Sequence, residues 1–164
     1  MAHRRRIVPD NSVILPAFFQ EEFVYKNNRF DLTRRAKPLA DAIRSRGVDA
    51  FAPDFLMHEF MAQATEKARC RDHSPVLEMD VVGRQLEQFR ALPITYAPCN
   101  KLAPRAWTLA TDLDLSVADA WYLACAIEYD AEFWLSHEHS DGLAERAARA
   151  HPGGVHLLVH ERFG

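Results

Sequence analysis

The sequence predicts an α/β protein built on a mostly parallel, five-stranded sheet covered on both faces by helices. Three observations lead there. Short apolar runs of strand length alternate with helix-length segments from one end of the chain to the other. Two of those runs are closed by a proline and an acid, Pro9-Asp10 and Pro53-Asp54. The stretch from Ser116 to Glu138 reads as a nearly all-apolar helix feeding straight into a strand, which is half of an α/β unit with both its ends at one edge of a sheet.

Ile7-Val8 begins the first strand, and Pro9, which cannot donate to a ladder, is placed at its last residue. Ser12 is positioned to cap a helix from Val13 to about Glu22. Residues 23–37 form a polar, basic insertion carrying Lys26, Arg29, Arg34, Arg35 and Lys37, followed by a helix from Pro38 to Arg46 that ends at Gly47. Val48 to Ala52 is the second strand. Pro53-Asp54 opens a helix running to about Arg71, with Glu59 just past its first turn. A helix from Pro75 to Ala91 leads to the third strand, Leu92 to Tyr96. Residues 97–104 hold two prolines and read as a loop, with a short helix from Arg105 to Asp112 after it. The apolar helix has Ser116 as N-cap and Asp119 three residues on. Glu132 to Leu135 is the fourth strand, Asp141 to Ala150 a helix, Pro152-Gly153-Gly154 a turn, and Val155 to Val159 the fifth strand.

The 164 residues suit a single domain, and with 48% of them apolar the chain can bury a real core. A formal charge of −3 gives no global basic field, so nucleic-acid binding has to rely on local clusters of Lys and Arg. Arg4-Arg5-Arg6 resembles the start of a signal peptide, but Asp10 and Pro16 interrupt the apolar residues after it, and the segment is expected to be mature sequence. The longest uncharged apolar run, Ala120 to Ile127, is far short of the ~20 residues of a membrane span. Cys70, Cys99 and Cys125 are odd in number and widely spaced, which fits a reducing compartment, so the expected location is the cytoplasm.

In a parallel sheet, ligands bind outside the carboxyl ends of the strands. Asp10 comes after the first strand, Glu59 lies early in the helix after the second, Asp119 sits in the first turn of the apolar helix, and Glu138 comes after the fourth strand. All four are candidates for one crevice. Gathered carboxylates repel one another unless a cation is present, and Mg²⁺ or Mn²⁺ prefers carboxylate oxygen. The chemistry this suits is metal-assisted phosphodiester hydrolysis. Each acid also has a purely structural alternative: Asp119 in a capping box with Ser116, Glu59 as a solvated helix residue, Asp10 at a helix entry, Glu138 as surface polarity.

Other motifs are incomplete. His137-Glu138-His139 and His58-Glu59 lack the spacing of a helical zinc site, there is no Gly-rich phosphate loop, and Asp10-Asn11-Ser12 lacks the second Asp of a haloacid-dehalogenase phosphatase. Trp107, Trp121 and Trp134 occupy apolar positions and are expected in the core.

With these residues in place the chain resembles PIN-domain proteins, and more narrowly the VapC-like ribonuclease toxins of type II toxin–antitoxin systems. The matching pieces are Val8-Pro9-Asp10-Asn11-Ser12-Val13, Ala52-Pro53-Asp54-Phe55-Leu56-Met57-His58-Glu59, Leu115-Ser116-Val117-Ala118-Asp119-Ala120 with Tyr122-Leu123-Ala124, and Phe133-Trp134-Leu135-Ser136-His137-Glu138. The resemblance implies a three-layer α/β/α sandwich, Mg²⁺ or Mn²⁺ held by Asp10, Glu59, Asp119 and Glu138, and endonucleolytic cleavage of RNA. It also implies a small cognate antitoxin, a homodimer, and supporting roles for Ser12 and Ser136. The fourth position departs from the family's Ser/Thr-x-Asp, since Ser136-His137-Glu138 offers the longer Glu; Asp141, one turn onward, is the alternative.

If RNA is the substrate, Arg34, Arg35 and Lys37 of the insertion, with Arg4 to Arg6, are the candidate phosphate contacts. Solubility of an exposed loop explains the same arginines equally well. Two rival functions stay open: a catalytically inactive PIN-fold module that binds RNA or protein, and a metal-dependent phosphatase.

Overall fold

A computed structural model describes residues 4–69, 77–137 and 142–164, without the side chains of 22, 23 and 25. In chain order the elements are β1 (Arg6–Pro9), α1 (Asn11–Ile14) with a 3₁₀ turn at Leu15–Ala17, β2 (Glu22–Tyr25), β3 (Asn28–Asp31), α2 (Leu32–Arg44) and β4 (Asp49–Pro53). After these come α3 (Leu56–Arg69), α4 (Met79–Arg90), β5 (Ile94–Ala97), α5 (Cys99–Leu113), α6 (Val117–Tyr129), β6 (Glu132–Leu135), α7 (Leu143–Ala150) and β7 (Val155–Leu157).

Five strands form one sheet in the order β5-β4-β1-β6-β7, with every neighbouring pair parallel. From β1 the chain first moves outward through β4 to β5, then returns to the other side of β1 through β6 to β7. Right-handed crossovers therefore put α2 to α4 on one face and α6 and α7 on the other, giving a three-layer α/β/α sandwich. The direction reverses between β1 and β6. Their carboxyl ends flank a crevice at that reversal, the place where such sheets take ligands.

The sequence explains the middle of the sheet. Ile7, Val8, Phe133 and Leu135 are fully buried and Trp134 is 1% exposed, so β1 and β6 are apolar on both faces, as strands sandwiched between helix layers must be. Helix α6 packs on β1, β4 and β6 on one side and against α5 on the other. That second contact is why its residues from Ala120 to Ala126, Trp121 apart, are buried all round. Ser116 caps it as expected, accepting from Asp119 N at 3.1 Å. Pro9 is the last residue of β1, opposite Trp134, and the ladder continues through Asp10 N to Trp134 O at 2.9 Å.

Several expectations are corrected. The cap of the first helix is Asp10 rather than Ser12, and the α-helix is a single turn, because Pro16 lies in a 3₁₀ turn just beyond it. The basic insertion is a β-hairpin joined to a helix: Lys26 and Asn27 take positive φ (48° and 64°) as the two-residue turn between Tyr25 and Asn28. Helix α2 begins at Leu32, six residues before Pro38, capped by Asp31, which accepts from Arg34 N at 2.9 Å. Pro38 is exposed, so the Arg34 carbonyl it leaves without a helical donor can open to water. Residues 99–104 are helical rather than loop, with Pro104 inside α5 on its exposed side. Helix α3 starts at Leu56, β7 ends at Leu157, and Trp107 is 71% exposed instead of buried. The expected helix boundaries at Arg71, Pro75 and Asp141 lie outside the described residues. Among the described residues no helix is long and apolar enough to cross a membrane.

Candidate functional site

At the carboxyl ends of the strands lies an open cleft of about 1240 Å³. Asp10, Glu59 and Asp119 all line it, from three separate segments of the chain. Asp10 arrives at the end of β1, Glu59 in the first turn of α3 after β4, and Asp119 in the first turn of α6. β1 and β4 each lead into a helix at this edge and deliver Asp10 and Glu59, while α6, which follows α5 and starts at the same edge before running back to β6, delivers Asp119. Asp10 is 5% and Asp119 7% exposed, and charged residues are seldom so buried without a compensating partner.

Neighbouring hydroxyls and amides orient each acid. Asp10 Oδ1 accepts from Ser12 N at 2.5 Å. Ser116 Oγ donates to Asp119 Oδ2 at 2.6 Å, so the helix cap and the acid are one unit. Tyr122 donates its phenol to Glu59 Oε2 at 2.6 Å. Burial, the charges of Asp10 and Glu59, and that hydrogen bond push the Tyr122 hydroxyl well above its ordinary pKa of 10.0, so it remains a donor at any physiological pH. Ser12 and Ser136 join the two central strands where they diverge: Ser136 N donates to Ser12 Oγ at 3.1 Å, and Ser136 Oγ lies 2.6 Å from His137 Nδ1.

The cleft also holds side chains that sequence reasoning missed. Gln63 and Lys67 come after Glu59 at successive i+4 positions of α3 and so share its face. That spacing was readable, but Lys67 lies too far from any motif to attract notice. Arg146 comes from α7, and Lys67 is ion-paired with Glu21. Asn11 is 3% exposed and lines the cleft with neither its amide oxygen nor its nitrogen hydrogen-bonded.

Glu138 and its alternative Asp141 lie outside the described residues. Among the described residues no three His, Cys, Asp or Glu side chains are placed to hold a metal ion together. The donor chemistry is nonetheless that of a hard cation. Mg²⁺ keeps several waters and is usually bound through one or two carboxylates, so Asp10 and Asp119 supply a sufficient protein share. Among the described residues the two thiols are unsuited to nucleophilic work, since burial pushes Cys99 up to about 11 and Cys125 up to about 12; Cys70 lies outside them.

The basic residues picked out in the sequence are not in the cleft. Arg4 pairs with Asp49 at 3.0 Å, Arg5 with Glu132 at 2.7 Å, and Arg6 Nη1 donates to Tyr129 O at 3.1 Å, all at the opposite, amino-terminal edge of the sheet. Arg34 and Arg35 line a separate groove, and Lys37 a third depression shared with α4. No family model matches the chain, and no curated protein matches it.

Proposed function

We propose that this protein is a metal-dependent endoribonuclease that hydrolyses RNA phosphodiester bonds in the cleft lined by Asp10, Glu59 and Asp119. One observation carries the reading: acids remote in sequence line a single crevice at the point where the strand order reverses, and two of them are almost wholly buried. Bound Mg²⁺ or Mn²⁺ supplies an activated water and neutralises charge on the phosphodiester. Asp10 and Asp119 hold the ion, with Glu138 or Asp141 as the fourth acid. Ser12 and Ser116 fix the two aspartates, and Ser136 ties β6 to the same frame. Tyr122 keeps the Glu59 carboxylate turned into the cleft. Lys67, paired with Glu21, and Arg146 also line the cleft and offset its negative charge toward a phosphate.

The resemblance of the four motifs supports the biological setting: the toxin of a toxin–antitoxin pair, acting in the cytoplasm, silenced by a small cognate antitoxin and paired as a homodimer. A second reading, a catalytically inactive PIN-fold binding module, is favoured by one feature: Glu59 and Asp119 already hold the hydroxyls of Tyr122 and Ser116. Cleavage of RNA in Mg²⁺ or Mn²⁺ against EDTA, for wild type and Asp119→Asn, separates the two. Turnover that disappears in EDTA and in the variant supports the nuclease; RNA bound but left intact in every arm supports the module.

A further inference from the structure

A groove of about 520 Å³, separate from the acid cleft, lies beside the β2–β3 hairpin where the start of α2 meets the C-terminal segment. Four arginines line it, Arg29, Arg34, Arg35 and Arg162, although the chain as a whole carries −3. The acid lining it is Asp31, which is committed to capping α2 through Arg34 N. Arg35 forms the floor: its guanidinium donates to Leu158 O at 2.5 Å and lies 4.9 Å from the centre of the Phe30 ring, fastening hairpin, helix and C-terminal segment together. Arg29, Arg34 and Arg162 are exposed at the rim.

We propose that this groove binds the phosphate backbone of single-stranded nucleic acid. The choice of partner rests on the nuclease reading above; the chemistry of the groove does not. Guanidinium groups presented together, one of them anchored at Leu158 O, match phosphate oxygens in charge and geometry. Among the described residues, the two rings that line the groove already carry cations, Phe30 under Arg35 and Phe163 under Arg5 at 4.5 Å, which leaves the guanidinium groups as its main recognition chemistry. The groove therefore holds backbone without reading sequence. It adjoins the cleft: Asp31 lines the groove, and Leu32, the next residue, lines the cleft. A strand lying across the start of α2 reaches from one to the other.

The test measures binding of a fluorescein-labelled oligouridylate by anisotropy in EDTA across a salt series, for wild type, Arg34→Ala/Arg162→Ala and Arg34→Lys/Arg162→Lys. The alanine pair is expected to bind about 10-fold or more weakly and to flatten the slope of log affinity against log salt by about 1.4, roughly 0.7 for each phosphate no longer neutralised. The lysine pair keeps most of the affinity, since charge is what holding the backbone requires. Equal affinity and slope in wild type and the alanine pair overturn the proposal, as does failure of wild type to bind. A labelled poly-glutamate that depends on Arg34 and Arg162 when the oligouridylate does not overturns it in favour of an acidic polypeptide. Hydrolysis of a dinucleotide by wild type in Mn²⁺, a substrate too short to span from cleft to groove, tests the cleft separately. If that fails while the alanine pair still loses oligouridylate, the groove stands and the nuclease reading falls.

Discussion

Tyr122 donates its hydroxyl to Glu59 Oε2 at 2.6 Å, joining the third residue after Asp119 on α6 to the acid on α3. One bond thus ties Glu59 to the helix that carries Asp119, in a common frame across the protein. Tyr122→Phe removes the donor and leaves the shape. The variant is expected to lose about 1.5–3 kcal/mol of stability at pH 7, the range for a hydrogen bond to a charged group. The pH dependence identifies the cause. The unfolded chain releases the Tyr122 proton near pH 10, whereas the folded chain holds it to higher pH, so stability is lost as pH rises above that value. Alkaline melting curves should therefore fall more steeply for wild type than for Tyr122→Phe; parallel curves count against the bond.

Ser116 serves the fold and the cleft together. Ser116→Ala removes the N-cap of α6, worth about 1 kcal/mol, and the hydrogen bond to Asp119 Oδ2. Metal affinity is expected to drop about 10-fold, within the range for groups that orient a ligand. Ser116→Asp restores a cap acceptor but not the donor, so it should recover stability and not affinity. Calorimetric titration with Mn²⁺ beside thermal melting reads both.

Asn11 marks a place where the fold tolerates cost. Its amide is buried with both polar atoms unpaired, and such a group costs about 1–3 kcal/mol. Asn11→Ala should hold or raise the melting temperature while reducing Mn²⁺-dependent RNA cleavage, the pattern of a residue kept for the cleft. A destabilisation of more than about 2 kcal/mol in the variant, the scale of a broken buried hydrogen bond, contradicts this.

At the far edge, Glu132 anchors the start of β6. Burial alone raises a carboxyl, but hydrogen bonds from Arg5 and Trp134, with the Arg5 charge, outweigh it and hold Glu132 below its usual 4.5. Its contribution is present above pH 4.5 and is lost as pH falls through the folded value. Glu132→Gln is expected to be roughly 1–2 kcal/mol less stable at pH 7 and to close that gap as pH falls through the folded value of Glu132. Acid denaturation monitored by circular dichroism measures it. A gap unchanged with pH would refute the assignment.

The parallel sheet is legible because its strands are short, mostly apolar runs and two end in Pro-acid pairs that also mark the functional edge. Glu132–Leu135 is found with the same limits, and Asp10, Glu59 and Asp119 line one cleft, while Glu138, expected beside them, lies outside the described residues. Proline is a poor guide to the helix starts of this chain. Pro38 and Pro104 sit inside helices on exposed faces, and the true cap, Asp31, was hidden in a basic stretch. The hairpin was missed because its turn uses Lys26-Asn27 rather than Asn-Gly. Arg162 could not be joined to the insertion from sequence, since Leu158 O and Arg35 meet only in the folded chain.

The central claim is that Asp10 and Asp119 share a divalent ion. Anomalous diffraction from a crystal soaked in Mn²⁺ tests it most directly. The expected result is one strong peak in the cleft within about 2.0–2.3 Å of a carboxylate oxygen of each, absent in Asp119→Asn. A well-ordered cleft without that peak, or a peak held by other residues alone, contradicts it.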